Sequence, residues 1–132
     1  MPPDIVELRF SGIPNATPYT YTLAILQQTG SWASITNGTD LNLPSGYYYV
    51  SAHPDFTRTS TSRNNQIHWF LDGTQMGKVG GSDYYNSESC DLAEATFTLH
   101  SSGILTLRQT AQAVGTISWT NDAIAYVWRV PL

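Results

Sequence analysis

Apolar and polar residues alternate with a period of two along most of this chain. No window holds an i, i+3, i+4, i+7 apolar pattern long enough for a helix. Near the start, Val6, Leu8 and Phe10 alternate with Glu7 and Arg9. In YTYTLAIL (19–26), Tyr19, Tyr21, Leu23 and Ile25 share one side and Thr20, Thr22 and Ala24 the other. Strands are also predicted over 31–36 (SWASIT), 46–52 (GYYYVSA), 67–71 (IHWFL), 74–79 (TQMGKV), 95–99 (ATFTL), 104–109 (ILTLRQ), 114–120 (VGTISWT) and 123–130 (AIAYVWRV). Thr, Tyr, Val, Ile and Trp dominate these stretches, and they suit a pleated, half-buried surface.

Turn residues punctuate the strands: Gly12 and Pro14, Gly30, Asn37-Gly38, Leu43-Pro44-Ser45-Gly46, Asp72-Gly73, Gly80-Gly81, Ser102-Gly103 and Asn121-Asp122. Asp72-Gly73 is the strongest hairpin signal and joins 67–71 to 74–79. Residues 53–65 and 80–91 read as surface loops. Such short, evenly spaced strands predict an all-β antiparallel sandwich or jelly roll of about ten strands. The whole chain, 1–132, reads as one domain without repeat or linker, led by a short extended arm over residues 1–4 that Pro2 and Pro3 stiffen.

The last strand has two apolar faces. Ile124, Tyr126, Trp128 and Val130 share one side, and Ala123, Ala125, Val127 and Arg129 the other. A strand with one solvated face alternates apolar with polar, so this one is expected to be covered twice. The core covers one face. A neighbouring subunit or a loop of the same chain covers the second, and the pattern alone allows a dimer as readily as a higher oligomer. Tyr47 and Tyr49 likewise face away from Tyr48, which suits an interface, where Tyr and Trp are enriched. A sugar-stacking platform, with Tyr84-Tyr85, is the other reading of these rings.

Composition narrows the function classes. Charged residues are 12% of the 132, and the aromatic content of 4 Trp, 8 Tyr and 4 Phe excludes a disordered chain. Lys and Arg number 6 against 10 Asp and Glu, for a net charge of -4. The cations Arg9, Arg58, Arg63, Lys78, Arg108 and Arg129 are scattered, so no nucleic acid partner is expected. Cys90 is the single cysteine, which excludes an internal disulfide framework. No apolar run approaches the ~20 residues of a helical membrane span. The opening MPPDIVELRF lacks a basic region followed by an apolar one, so no signal peptide is expected.

Catalytic patterns are weak. His53-x-Asp55 with His100 and Arg108 has the ligand types of a non-haem iron site, but Pro54 separates the first two and the pattern arises easily by chance. Cys90 lies between Glu88 and Asp91, which would raise rather than lower a thiol pKa. Glycoside hydrolysis requires paired carboxylates, and nothing in the sequence pairs Glu7, Glu88 and Glu94. There is no Gly-x-Ser-x-Gly elbow, phosphate loop or calcium loop. Asn15-Ala16-Thr17 and Asn37-Gly38-Thr39 read as chance glycosylation matches in a Thr-rich chain. Neither an enzyme nor a bound cofactor or metal is expected.

The order of the pieces says more than any one of them. A turn leads into Gly-Tyr-Tyr-Tyr-Val-Ser-Ala (46–52), then a strand into a turn, Ile67 to Gly73. A polar strand ending in a Gly turn (95–103) follows, then Ile104-Leu105-Thr106-Leu107-Arg108, and an apolar last strand from Ala123 to Val130. Over roughly residues 40–132 this resembles the globular head of the complement C1q and tumour necrosis factor superfamily. Neither a collagen-like stalk nor a signal peptide is expected from the sequence, which differs from the animal members. Small stalkless heads of this type are similar to phage virion proteins. The resemblance implies a jelly roll and a homotrimer, with Tyr47, Tyr49, Tyr126 and Trp128 near the three-fold axis. It also implies a non-enzymatic capsid decoration (cement) protein located on the virion surface, with the phage's major capsid protein as partner; Met1, Pro2 and Pro3 are the expected capsid contact, because they precede the first strand and the prolines extend them. A fibre tip that binds a receptor or glycan is the alternative.

Overall fold

A computed structural model describes residues 4–11, 19–53, 56–59, 65–82, 92–111, 116–119 and 123–132. Among these the regular structure is entirely strand: β1 (Asp4–Ser11), β2 (Tyr19–Thr20), β3 (Thr22–Gln28), β4 (Ser34–Thr36), β5 (Asp40–Leu43), β6 (Gly46–His53), β7 (Phe56–Thr59), β8 (Asn65–Leu71), β9 (Thr74–Ser82), β10 (Ala93–Leu99), β11 (Gly103–Ala111), β12 (Thr116–Trp119) and β13 (Ile124–Val130). Every ladder is antiparallel. The front layer runs β3-β1-β13-β6-β10 and the back layer β9-β8-β11-β5-β4, with β2 also on β11. The layers join at β10–β9 through one pair, Glu94 with Lys78. This is the expected jelly-roll sandwich.

Period-2 alternation sets which side chains meet between the layers. Val6, Val127, Val50 and Ala95 form one inward row of the front layer, and Leu8, Ala125, Ala52 and Ala93 the next. Ile67, Trp69, Leu105, Leu107, Leu41 and Leu43 face them from the back, all nearly or fully buried. The small residues make room for Trp69, whose indole N–H donates across the layers to the Ala93 carbonyl at 2.9 Å. Buried Gln109 is satisfied by the Tyr21 hydroxyl, which donates to its Oε1 at 3.0 Å. At one end Tyr48 stacks on Phe97 with centroids 5.1 Å apart and donates to the Pro44 carbonyl at 2.7 Å.

The Asp72-Gly73 hairpin forms between β8 and β9, with both residues at positive φ (49° and 83°) as a tight primed turn requires. Asp72 also receives the Ile104 N–H on its Oδ1 at 2.9 Å, which ties the turn to β11. Several boundaries differ from the sequence reading. The stretch 19–26 is two strands, because the chain crosses between layers at Tyr21. Thr20 pairs with Arg108 at the back, whereas Thr22 pairs with Ser11 in front. Alternation runs unbroken through that corner, so periodicity does not show it. Leu43, expected in a turn, ends strand β5, whose two apolar positions are too few to register as a pattern. Within the expected loop 53–65, β7 pairs with β12 in a separate two-stranded sheet. Within the expected loop 80–91, β9 continues to Ser82. Of the expected 31–36 strand only Ser34–Thr36 is extended in a ladder. Asp4 belongs to β1, opposite Arg129, and not to the expected arm, whose residues 1–3 lie outside the described residues.

Glycine is required where β9 approaches β10. A Cβ at Gly77, which has φ +79°, would collide with the Glu94 carbonyl oxygen and come within 2.6 Å of the Ala95 Cβ. A Cβ at Gly80 would lie 2.5 Å from the Ala93 nitrogen. These obstacles are backbone and cannot rotate away. We expect Gly77→Ala to cost roughly 3 kcal/mol, from overpacking plus a non-glycine residue in a left-handed conformation, read as a lower urea midpoint.

Alkaline pH should destabilise the fold through two buried phenols. Burial pushes Tyr48 up to about 12, partly opposed by the Arg129 charge, and burial pushes Tyr21 above the ordinary tyrosine range. The unfolded chain releases these protons near pH 10 while the folded state keeps them. Stability is therefore fully present below pH 10 and falls as pH rises from 10 towards 12. Urea midpoints measured across that range should decline. Tyr48→Phe, which has no proton to lose, should make the decline shallower.

Candidate functional site

The outward side of the front layer follows from the same registers. Ile5, Trp128, Tyr49 and Thr96 form one row across β1, β13, β6 and β10. Val130, Tyr47 and Thr98 form the row beside it. On the other flank lie Glu7, Tyr126, Ser51 and Glu94. The structure thus brings the four sequence-predicted interface residues onto one continuous surface. They stay well exposed: Tyr47 54%, Tyr49 36%, Tyr126 38% and Trp128 38%. Val130, Leu132 and Leu26 are exposed too. Contiguous apolar exposure of this kind marks association surfaces.

The polar ends of two rings are tied down. The Tyr126 hydroxyl donates to Glu7 Oε2 at 3.0 Å, and Gln27 Nε2 donates to Glu7 Oε1 at 3.2 Å. The Tyr49 hydroxyl donates to Glu94 Oε2 at 2.9 Å. The bond to Glu7 raises the Tyr126 pKa; for Tyr49, burial and then Glu94 do the same. Both rings are thereby held in defined orientations while their faces remain uncovered. A shallow cleft of about 270 Å³ lies between Ile5, Glu7, Gln27, Gln28, Thr29 and Tyr126 at the β3 flank.

The register separates the residues considered for chemistry. Glu7 and Glu94 share a row, but β13 and β6 lie between their strands. Three strand spacings put their backbones roughly 14 Å apart, beyond the reach of a glycosidase pair. His53 and His100 lie just past opposite ends of the β6–β10 ladder, more than about 20 Å apart along the strands. Arg108 is on the back layer. Met1, Pro2, Pro3, Asp55, Tyr84, Tyr85, Glu88 and Cys90 lie outside the described residues. Sequence reasoning missed Ile5, Glu7 and Glu94 as parts of the aromatic surface. Ile5 carried a signal: it is the apolar exception on the Glu7 and Arg9 side of the first strand. Glu7 and Glu94 carried none, because their place depends on pairings between distant strands.

No protein-family profile and no curated protein sequence matches the chain. Solved structures do. The chain is similar to murine APRIL in its crystal structure at pH 8.0, with a TM-score of 0.67 at 10% identity. For the structures at pH 5.0 and pH 8.5 the TM-scores are 0.65 and 0.64, at 11% and 9% identity. Each superposition covers 97% of this chain and 99% of the other. At such identities the likeness is one of fold, and it shows that the chain folds as a tumour-necrosis-factor-like jelly roll.

Proposed function

We propose that this chain is a non-enzymatic structural protein of a phage particle, a decoration protein that sits as a homotrimer on the capsid surface and stabilises it. The observation that carries the reading is the uncovered aromatic surface of the front layer, formed by Tyr47, Tyr49, Tyr126 and Trp128. Two of these rings, Tyr49 and Tyr126, are held by hydrogen bonds yet left bare, which suits burial against another copy because little of their side-chain freedom remains to be lost on association. The tumour-necrosis-factor-like fold supports three copies as the closed number. The chain as a whole is rich in Thr, Asn and Ser and poor in charge, which suits a rigid particle component exposed to varying salt. The major capsid protein is the proposed partner, with Met1, Pro2 and Pro3 as its contact.

Two measurements test this. Light scattering of the wild type should report about three times 14.6 kDa. Tyr126→Asp would place an unpaired carboxylate in the buried contact, at a cost of several kcal/mol, and should give dissociated or aggregated protein whose circular dichroism is still that of a β fold. A wild-type monomer at micromolar concentration would overturn the trimer. The purified protein should also re-bind capsids stripped of it; binding to whole host cells without binding to capsids would instead assign a fibre-tip role.

A further inference from the structure

The polar groups that line the shallow cleft of about 270 Å³ at the β3 flank are already engaged. Glu7 accepts from Tyr126 on Oε2 and from Gln27 on Oε1. The Gln28 carboxamide bonds Ala33 at both ends: Nε2 donates to the carbonyl at 3.2 Å, and Oε1 accepts the N–H at 3.3 Å. Thr29 Oγ1 accepts the Ile5 N–H at 2.9 Å. What the cleft offers an occupant is the Ile5 side chain, the bare face of Tyr126, the stems of the two glutamines and one carboxylate. Both donors to Glu7 are neutral, and among the described residues the only ion pair is Arg129 with Asp4. The charge of Glu7 is therefore without a cation there. An apolar trough beside an uncompensated carboxylate fits a long aliphatic stem with a positive tip. A small molecule usually takes a larger site, of roughly 300–1,000 Å³.

Lys78 is the only lysine in the chain, and among the described residues it is in no ion pair. It is exposed and lies opposite Glu94, where β9 meets β10. Glu94 pairs with Ser51, Ser51 with Tyr126 and Tyr126 with Glu7, so Lys78 and Glu7 sit at the two ends of one row across the front layer. Granted the homotrimer proposed above, on which this assignment rests, we propose that the cleft is the socket for Lys78 of the next copy. Its ammonium meets Glu7, and its stem lies along Ile5 and the Tyr126 ring. In a closed ring, one flank of each copy meets the opposite flank of the next. Rotation about an axis along the strands keeps each row at its own height. The two ends of the row therefore come together, with Lys78 of one copy level with Glu7 of the next. Opposite charges at matched height fix the register between copies. The pair lies at the flank of the contact, where water still has access.

Within one copy, four strand spacings, roughly 19 Å, separate the backbones of Lys78 and Glu7, too far for their side chains to touch. A bond between them is therefore a bond between copies. The test treats the full chain with a water-soluble carbodiimide, which condenses an amine and a carboxylate in contact into an amide. The expected result is covalent species of about two and three times 14.6 kDa, with peptide mass mapping placing the new amide between Lys78 and Glu7. Glu7→Gln, which keeps the bulk and an acceptor for Tyr126, should remove those species while light scattering of the untreated variant still reports a trimer. Lys78→Glu should raise the trimer's dissociation constant at least about tenfold, because three pairs turn repulsive at once, with the circular dichroism unchanged. That difference should shrink in molar salt. A trimer by light scattering in which the carbodiimide joins Lys78 only to Glu94, or to nothing, would overturn the socket and leave the trimer standing. So would a Lys78→Glu variant that associates as tightly as the wild type. A wild-type monomer would overturn both.

Discussion

The register of β13 is the constraint on which both surfaces of the front layer depend. This strand pairs with β1 from the start of the chain and with β6 from its middle. A slip of one residue would turn Tyr126 and Trp128 into the core and Ala125 and Val127 out to solvent. Arg129 opposes that slip. It points inward at the rim, where its Nη1 meets Asp4 Oδ2 at 2.8 Å and its Nε and Nη2 donate to the Ser45 carbonyl at 3.1 and 2.9 Å. Its Cζ lies 5.6 Å from the Trp32 ring. Gly46 leaves the room, since a Cβ there would come within 3.0 Å of Nε. In any other register Arg129 would lose these partners together, so one cation ties the first strand, the β5–β6 turn and the last strand to a single alignment.

Much of the fold is legible in the sequence because its strands are long enough for alternation to show. Val6 to Phe10, Tyr47 to Ala52 and Ala123 to Val130 each carry three or more inward positions, and Asp72-Gly73 marks its own turn. What escapes is short or depends on distant partners. Asp40–Leu43 offers only Leu41 and Leu43, and Phe56–Thr59 is a strand because Thr116–Trp119 lies beside it. The crossing at Tyr21 is invisible for another reason. Its side chain stays inside on both sides of the corner, packed edge-on against Phe10 at 5.5 Å, so the hydrophobic pattern is the same whether the chain continues in one layer or changes layers.

The candidate site divides in the same way. Tyr126, Trp128, Tyr47 and Tyr49 could be grouped from the sequence because each occupies an outward position in a strand whose inward side is already apolar. That two of the hydroxyls end on carboxylates could not, because Glu7 reaches Tyr126 and Glu94 reaches Tyr49 only through pairings that span 119 and 45 residues of chain. Lys78 is similar. In the sequence it is one of several scattered cations; only the β9–β10 pairing sets it opposite Glu94, at the end of that row.

The front surface also has a direction along its strands. The rows of Ile5, Trp128 and Tyr49 and of Val130 and Tyr47 form a dry end, and the row of Glu7, Tyr126, Ser51 and Glu94 a wetter one. Further along, Arg9, Ile124 and His53 form a row with basic side chains. If two copies met with their strands pointing in opposite directions, carboxylates would lie against indole and phenol rings and lose hydration without gaining a partner. If the copies point the same way, rings meet rings, while the acidic row of one lies level with the acidic row of the next and has to stay hydrated. In the homotrimer proposed above, whose copies would share one direction about the axis, this polarity would bring the aromatic rows of the copies together. Length along the strand, which alternation alone ignores, is thus what gives the aromatic face its orientation.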